Sequence, residues 1–279
     1  MKNPIYPCLW FDGEAKAAAD FYCSVFKHSK ITSNNPVVTT FEIEGKKFTA
    51  LNGGPMFKMN PSISFFVLCA SQIEVEEIWN TLSKDGSVMM PLNKYPWNEK
   101  YGWCQDKFGV NWQLMMNNTV NSSEKIIPSL MFTRSNAVNA EKAINFYTSV
   151  FKNSSIVQIS RYEKGEHDVE GTIKHAQFTL GNQLFAAMDS SGAHAFAFNE
   201  GISLVIDCET QEEIDYYWNK LTKGGVESQC GWLKDKFGVS WQVVPTILEK
   251  LMSHPEKGQR VVQEFMQMKK FDIEKLTNA

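Results

Sequence analysis

The 279-residue chain has no Cys-x-x-Cys pair, no His-x-His or His-x-x-x-His spacing, no long apolar run and no excess of positive charge. Each of these gaps removes a class of function. The 28 basic and 31 acidic residues leave a formal charge of −3, so no global positive field favours phosphate backbones, and nucleic acid is not expected as a partner. A bilayer span takes about 20 consecutive apolar residues, and no segment supplies them. The opening MKNPIYPCLWFDGEAK also lacks the apolar stretch of a signal peptide, so a cytoplasmic protein without membrane contact is expected. The six cysteines (Cys8, Cys23, Cys69, Cys104, Cys208, Cys230) read as reduced thiols, not as a zinc or disulfide framework. What remains is a chain with 43% hydrophobic residues, enough to fill two ordinary cores.

The strongest positive feature is an internal repeat. FDGEAKAAADFYCSVFKHSKI, from Phe11 to Ile31, returns as FTRSNAVNAEKAINFYTSVFKNSSI, from Phe132 to Ile156. ISFFVLC (Ile63 to Cys69) is answered by ISLVIDC (Ile202 to Cys208), and GWCQDKFGVNWQ (Gly102 to Gln113) by GWLKDKFGVSWQ (Gly231 to Gln242). Three blocks in the same order indicate duplication of a unit of roughly 120 residues. The polar run Asn117 to Ser123 reads as the linker.

Each unit follows one plan. A short apolar strand (Cys8 to Phe11; Ser129 to Phe132) leads into a helix whose Ala15, Ala18, Tyr22 and Val25, or Ala140, Ala143, Tyr147 and Val150, form one apolar stripe. Strand-like segments follow at Val37 to Ile43 and Phe48 to Leu51, matched by His175 to Leu180 and Phe185 to Met188. The plan then restarts with a strand, a cap at Ser71 or Thr210, a second helix (Val75, Ile78, Trp79, Leu82; Ile214, Tyr217, Trp218, Leu221) and short strands ending in VNWQLM or VSWQVV. A unit is βαβββ twice over, with one strand of each first half weakly marked.

The runs LWFDGEAKAAADFY and FNEGISLVIDCETQEEIDYYWNKL, with the closing GW(C/L)(Q/K)DKFGV(N/S)WQ, resemble the PhnB-like branch of the vicinal oxygen chelate (glyoxalase/bleomycin-resistance) superfamily. Members of this branch often carry the label 3-demethylubiquinone 3-methyltransferase. The resemblance implies an α+β fold of two tandem glyoxalase-like domains, each of paired βαβββ modules forming an open, barrel-like sheet around a cleft. It also implies where metal-dependent relatives would place two histidines and a carboxylate. Those positions fall on Pro7, Ser62 and Gln113 in the first unit and on Pro128, Gly201 and Gln242 in the second, so no metal and no other cofactor is expected. The methyltransferase label requires a glycine-rich strand-to-helix turn followed by an acidic residue, and Gly53-Gly54-Pro55 reads instead as an ordinary loop turn.

Domains are expected at 1–118 and 126–245, joined by a linker at 119–125 and followed by a helical tail at 246–279. The link from Gly86 to Gly102 carries Tyr95, Trp97 and Tyr101, whereas its counterpart from Gly225 to Gly231 is much shorter, so ligand binding is expected to favour the first unit. The same rings packing an interface between units is the competing reading. Candidate ligand-binding residues are Trp10, Asn52, Tyr95, Trp97, Tyr101, Trp103 and Gln113, with Asp189, His194, Trp232 and Gln242 in the second unit. His28, His167, His175 and His254 read as solvated or structural, and Asp106 and Asp235 as turn formers in DKFG. The tail's apolar sets, Val261, Val262, Phe265, Met266 and then Phe271, Ile273, Leu276, are expected to pack on the core, or to cover a second copy in a homodimer. Two functions stay open: a metal-free protein that binds a small-molecule ligand, and an enzyme acting on a small oxygen-rich substrate. Whether the chain is an enzyme is left undecided by its residues.

Overall fold

The computed structural model describes residues 4–117 and 124–279, so the expected linker lies, from 119 to 123, outside the described residues. Four βαβββ modules follow one another. The first holds β1 (Ile5–Phe11), α1 (Ala15–Val25), β2 (Ser29–Asn34), β3 (Val38–Ile43) and β4 (Lys46–Asn52). The second holds β5 (Ile63–Cys69), α2 (Gln72–Leu82), β6 (Ser87–Tyr95), β7 (Asn98–Gln105) and β8 (Asn111–Met116). The third holds β9 (Ile126–Phe132), α3 (Ala140–Val150), β10 (Ser155–Arg161), β11 (Ile173–Leu180) and β12 (Gln183–Asp189). The fourth holds β13 (Ile202–Cys208), α4 (Gln211–Leu221), β14 (Val226–Glu227), β15 (Trp232–Lys234) and β16 (Ser240–Pro245). The tail forms α5 (Leu248–Met252), α6 (Gly258–Phe265) and α7 (Ile273–Asn278).

The caps work as their sequences imply. Ser71 and Thr210 accept the N–H groups of Glu74 and Glu213 three residues on, satisfying donors at the starts of α2 and α4. α1 and α3 bury Ala15, Ala18 and Tyr22, and Ala140, Ala143 and Tyr147, against the sheets. Small residues there let the helix axis come close to the strands. The DKFG turns are structural knots. Asp235 accepts N–H groups from Phe237 and Val239, the Trp241 indole N–H (2.9 Å) and the Tyr147 hydroxyl (2.7 Å). Asp106 likewise accepts Phe108, Val110 and the Trp112 indole.

The described strands form two eight-stranded sheets. The first runs β14-β15-β16-β13-β1-β4-β3-β2 and the second β10-β11-β12-β9-β5-β8-β7-β6. Paired βαβββ modules therefore make each sheet, but the pairs cross the sequence repeat: module one joins module four through antiparallel β1 and β13, and module two joins module three through β5 and β9. The boundaries at 1–118 and 126–245 thus follow the duplication and not the sheets. Each repeat divides its two modules between two sheets, which ties its halves together through both.

Reciprocal loops fix the junction. Asn60 Nδ2 donates to the Ala197 carbonyl (3.0 Å), and Asn199 Nδ2 donates to the Lys58 carbonyl (2.8 Å), an internal two-fold relation made by the duplication. Lys46, buried at the start of β4, pairs with Glu124 (2.8 Å) and ties module one to the start of module three.

Candidate functional site

Strand side chains alternate between faces, so the helix-free inner face of each sheet can be read off the residues that do not join the helix-packed core. In β1, Ile5, Leu9 and Phe11 belong to that core, leaving Tyr6, Cys8 and Trp10 on the inner face. In β9, Leu130 and Phe132 belong to it, leaving Ile127, Ser129 and Met131.

This parity corrects the expected metal positions. Pro7 pairs with Leu204, and Pro128 with Phe65, both core residues, so the two prolines share the helix side. A slip of one residue exchanges the two faces of a strand. The inner-face positions are Cys8, opposite Ser203, and Ser129, opposite Ser64. Gly201 serves backbone approach instead: a Cβ there would lie 2.7 Å from the Lys58 carbonyl oxygen.

The first cleft, on the sheet joining modules one and four, has Cys8, Ser203 and Gln242 as its floor. Gln242 Nε2 donates to Ser203 Oγ (2.9 Å). Burial pushes the Cys8 thiol up to about 11, against hydrogen bonds with Gln242 and Ser203 that favour ionisation, so it stays protonated at neutral pH. At one end Tyr6 donates to Asp207 Oδ1 (2.7 Å), and Lys47 pairs with Asp207 Oδ2 (3.1 Å) while lying 3.9 Å from the Tyr6 ring centre. Burial, then the Asp207 charge, hold the Tyr6 phenol well above its usual range. At the other end three rings meet: Trp10 lies 5.0 Å from Phe57 and 5.9 Å from Trp232, edge to face. All three rings, and Gln242, are only partly buried.

The Gly53-Gly54 doublet is explained here. A Cβ on Gly53 would lie 2.2 Å from the Trp10 ring, and Trp10 Nε1 donates to the Gly54 carbonyl (2.7 Å). The glycines form the bed of a tryptophan.

The second cleft, on the sheet joining modules two and three, repeats the floor with Ser129, Ser64 and Gln113. Gln113 Nε2 donates to Ser64 Oγ (2.8 Å), and the Tyr101 hydroxyl donates to Gln113 Oε1 (2.6 Å). Gln113 is 4% exposed. Above it, Tyr101, Trp103 and Met131 cluster with Phe66, Met90, Tyr95, Met115, Met188 and Phe196. Tyr95 stacks on Trp97 (5.0 Å), and both touch Tyr101 (5.6 and 5.8 Å), so the β6–β7 hairpin covers this cleft with its own rings. His175, from β11, lies against Phe66 (5.9 Å), and burial lowers its pKa.

The expected site residues therefore separate into three groups. Trp10, Trp232 and Gln242 meet in the first cleft, and Tyr95, Trp97, Tyr101, Trp103 and Gln113 in the second. Asn52 and Asp189 are helix anchors: Asn52 Oδ1 accepts the Ala15 N–H (2.9 Å), and Asp189 accepts Ala140 N–H and Ile173 N–H (both 2.9 Å). Asn52 Nδ2 in turn donates to the Pro36 carbonyl (2.9 Å), so the polar atoms of both residues bond the starts of α1 and α3 and neighbouring chain. His194 shares a 2.7 Å hydrogen bond with Ser190 Oγ and packs on Phe196 (4.9 Å), at the rim of the second cleft. Of the residues not foreseen, Tyr6, Cys8, Ser64, Ser203 and Asp207 lie on strands, where alternation was the signal and the two-sided burial of β1 hides it for Tyr6 and Cys8, while Phe57 lies in the loop between β4 and β5.

Among the described residues no group of three or more His, Cys, Asp or Glu side chains is placed to hold a metal ion, and no helix is long and apolar enough to cross a membrane. All six cysteines are free.

Comparison with known proteins agrees with the architecture. The family described as 3-demethylubiquinone-9 3-methyltransferase matches twice, over residues 3–115 and 124–244. A Bacillus cereus PhnB protein, provisionally described as a 3-demethylubiquinone-9 3-methyltransferase, is 33% identical over 40% of this chain and 98% of its own, with a TM-score of 0.38. Glyoxalase I from Zea mays is 11% identical, with 91% of this chain and 98% of that one covered and a TM-score of 0.61. A Bacillus subtilis protein provisionally described as a dioxygenase is 10% identical, with 86% and 84% covered and a TM-score of 0.51. At such identities the last two speak for the fold alone. No curated protein matches the sequence.

Proposed function

The chain belongs to the 3-demethylubiquinone-9 3-methyltransferase (PhnB-like) family of the vicinal oxygen chelate superfamily, and from that membership we propose that it is a small-molecule-binding protein. Its half-open first cleft serves as the primary site. The observation that carries this reading is the pairing of a neutral floor, Ser203 and Gln242, with a partly exposed aromatic mouth, Trp10, Phe57 and Trp232. Rings at an accessible rim and a few hydrogen-bonding groups below them are the usual anatomy of a ligand pocket.

The donor set does not fit a catalytic divalent cation. The inner-face positions hold a protonated thiol, serines and glutamines in place of the imidazoles and carboxylate that offset a metal's charge. The methyltransferase description also finds no support in the one glycine doublet that follows a first-module strand, because Trp10 occupies it. The partner in this reading is a neutral small molecule, with the protein acting in the cytoplasm. A second reading, catalysis on an oxygen-rich substrate, is favoured by one feature, the Tyr6–Asp207–Lys47 cluster in the same cleft.

A thermal-shift screen of neutral aromatic compounds, followed by calorimetry on the strongest hit, tests the binding reading. Trp232→Ala should weaken that ligand by about 1–3 kcal/mol, and Trp97→Ala should leave it nearly unchanged. Stoichiometric divalent metal in the purified protein, lost together with an activity on chelation, would overturn it.

A further inference from the structure

Five tryptophans of the chain sit where their indole N–H can be compared. Trp10 donates to Gly54, Trp112 to Asp106, Trp218 to Glu227 and Trp241 to Asp235. Trp103 does not follow them. It is 9% exposed, and its Nε1 is buried with no hydrogen-bond partner among the described residues. A buried donor without an acceptor is disfavoured, and native proteins retain few of them, so each one asks for a reason.

The surroundings narrow the reason. Trp103 pairs across the ladder with Gln113, on the inner face of the second cleft. The Gln113 amide is engaged at both ends, by Tyr101 and Ser64, and Trp103 makes no hydrogen bond to it. The side chains clustered with Trp103 are Tyr101, Met131, Phe66, Met90, Met115 and Met188, among others. Methionine-rich walls are apolar and adaptable in shape, and they leave an ionic ligand without compensation for lost hydration. The neighbouring His175 has its pKa lowered by burial, which keeps it neutral above its folded titration.

We propose that the second cleft is a separate binding site for a neutral, flat, largely apolar molecule carrying one carbonyl-type acceptor, and that the acceptor takes the Trp103 indole N–H. The β6–β7 hairpin supplies the rings that cover it, with Tyr95 and Trp97 stacked over Tyr101. This site is chemically distinct from the first cleft, whose far end carries the Tyr6–Asp207–Lys47 charges, and it does not depend on the function proposed for that cleft.

The test uses 1-tetralone, an aryl ketone, and tetralin, the same skeleton without the carbonyl. Both are titrated into the full chain, into Trp103→Phe and into Trp232→Ala, with indole ¹H–¹⁵N resonances and calorimetry as readouts. Tetralone should shift the Trp103 indole resonance, identified by its absence from Trp103→Phe. That substitution should weaken tetralone about tenfold, the effect of one net hydrogen bond, and leave tetralin unchanged. Trp232→Ala should leave both ligands unaffected at this site. Equal tetralone affinity in the full chain and in Trp103→Phe would mean that the indole N–H makes no bond to the ligand, and would overturn the proposal. Loss of tetralone binding only in Trp232→Ala would overturn it too, by moving the ligand to the first cleft, and so would the absence of saturable tetralone binding. If Trp103→Phe fails to fold, the wild-type spectrum still decides, because a spectrum in which saturating tetralone moves no indole resonance contradicts the assignment.

Discussion

The two clefts descend from one sequence and share a floor, yet they are closed by different parts of the chain. In the second sheet, β6 and β7 form a long hairpin whose rings lie over Gln113. In the first, β14 and β15 shrink to Val226–Glu227 and Trp232–Lys234, and the C-terminal tail takes over the edge. The Met268 and Lys269 carbonyls accept the N–H groups of Cys230 and Gly231 (both 2.7 Å), and Phe271 packs so close to Gly231 that a Cβ there would lie 2.5 Å from its ring. Gln211 on α4 holds the tail a second time, bonding the Phe271 carbonyl (3.1 Å) and the Ile273 N–H (2.9 Å). Duplication let one copy keep a covering hairpin while the other replaced it with a docked tail that stops at the edge strand. The first mouth stays half-open as a result.

The largest effect expected from this contrast is on stability. Phe271 is fully buried in the shared core, so Phe271→Ala should cost about 3–5 kcal/mol in urea unfolding. Trp97, at the tip of the opposite hairpin, is 59% exposed, and Trp97→Ala should stay within about 0.5 kcal/mol. Comparable losses would mean that hairpin and tail brace their sheets alike, and would remove the basis for treating the tail as the structural substitute.

A smaller effect separates the floors. Gln113→Ala strands the Tyr101 hydroxyl and Ser64 in a buried setting, and should destabilise by about 1–3 kcal/mol. Gln242→Ala removes a partly exposed amide from the buried Ser203, at a position where water can take the amide's place, and should cost about 1 kcal/mol or less. Double-mutant cycles with Tyr101→Phe should show coupling to Gln113 and none to Gln242, and the reverse pattern would interchange the closed and open clefts.

How much of this was legible in the sequence depends on the distance over which each signal acts. The repeat, the capping residues Ser71 and Thr210, and the stripes of α1 to α4 are local, and they are found where the sequence puts them. The βαβββ order followed from them, and the α+β class from the family resemblance. Module pairing is not local: nothing within β1 says that its neighbour is β13 and not β5, because both are apolar strands with similar patterns. Site residues fared according to the same rule. Trp103 and Gln113 lie opposite each other on adjoining strands and were read together, whereas Asn52 reaches a helix terminus 37 residues away and Asp189 one 49 residues away. The face of Cys8 was hidden because β1 is buried on both sides, which erases the alternation that would orient it.

The smallest expected effect tests whether the second cleft is as dry as its ring cover implies. His175 stands on β11 beside Ala176, which pairs with Ala187, and the position equivalent to His175 on β3 is Val38, beside Thr39, which pairs with Ala50. The first cleft therefore has no imidazole at this place. Burial lowers the His175 pKa below its ordinary value of 6.5, so between the folded and unfolded titrations the unfolded chain binds more protons. Stability from this group is present above the unfolded pKa, and it is lost as pH falls from there toward the folded pKa. The slope cannot exceed that of one proton, about 1.4 kcal/mol per pH unit. His175→Gln should flatten the stability profile just below pH 6.5, while Val38→Ala shifts the whole curve without changing its shape. If the His175 ring instead titrates at its ordinary value by ¹H–¹³C NMR, water reaches the floor of the second cleft, and the division into a sealed and an open cleft fails.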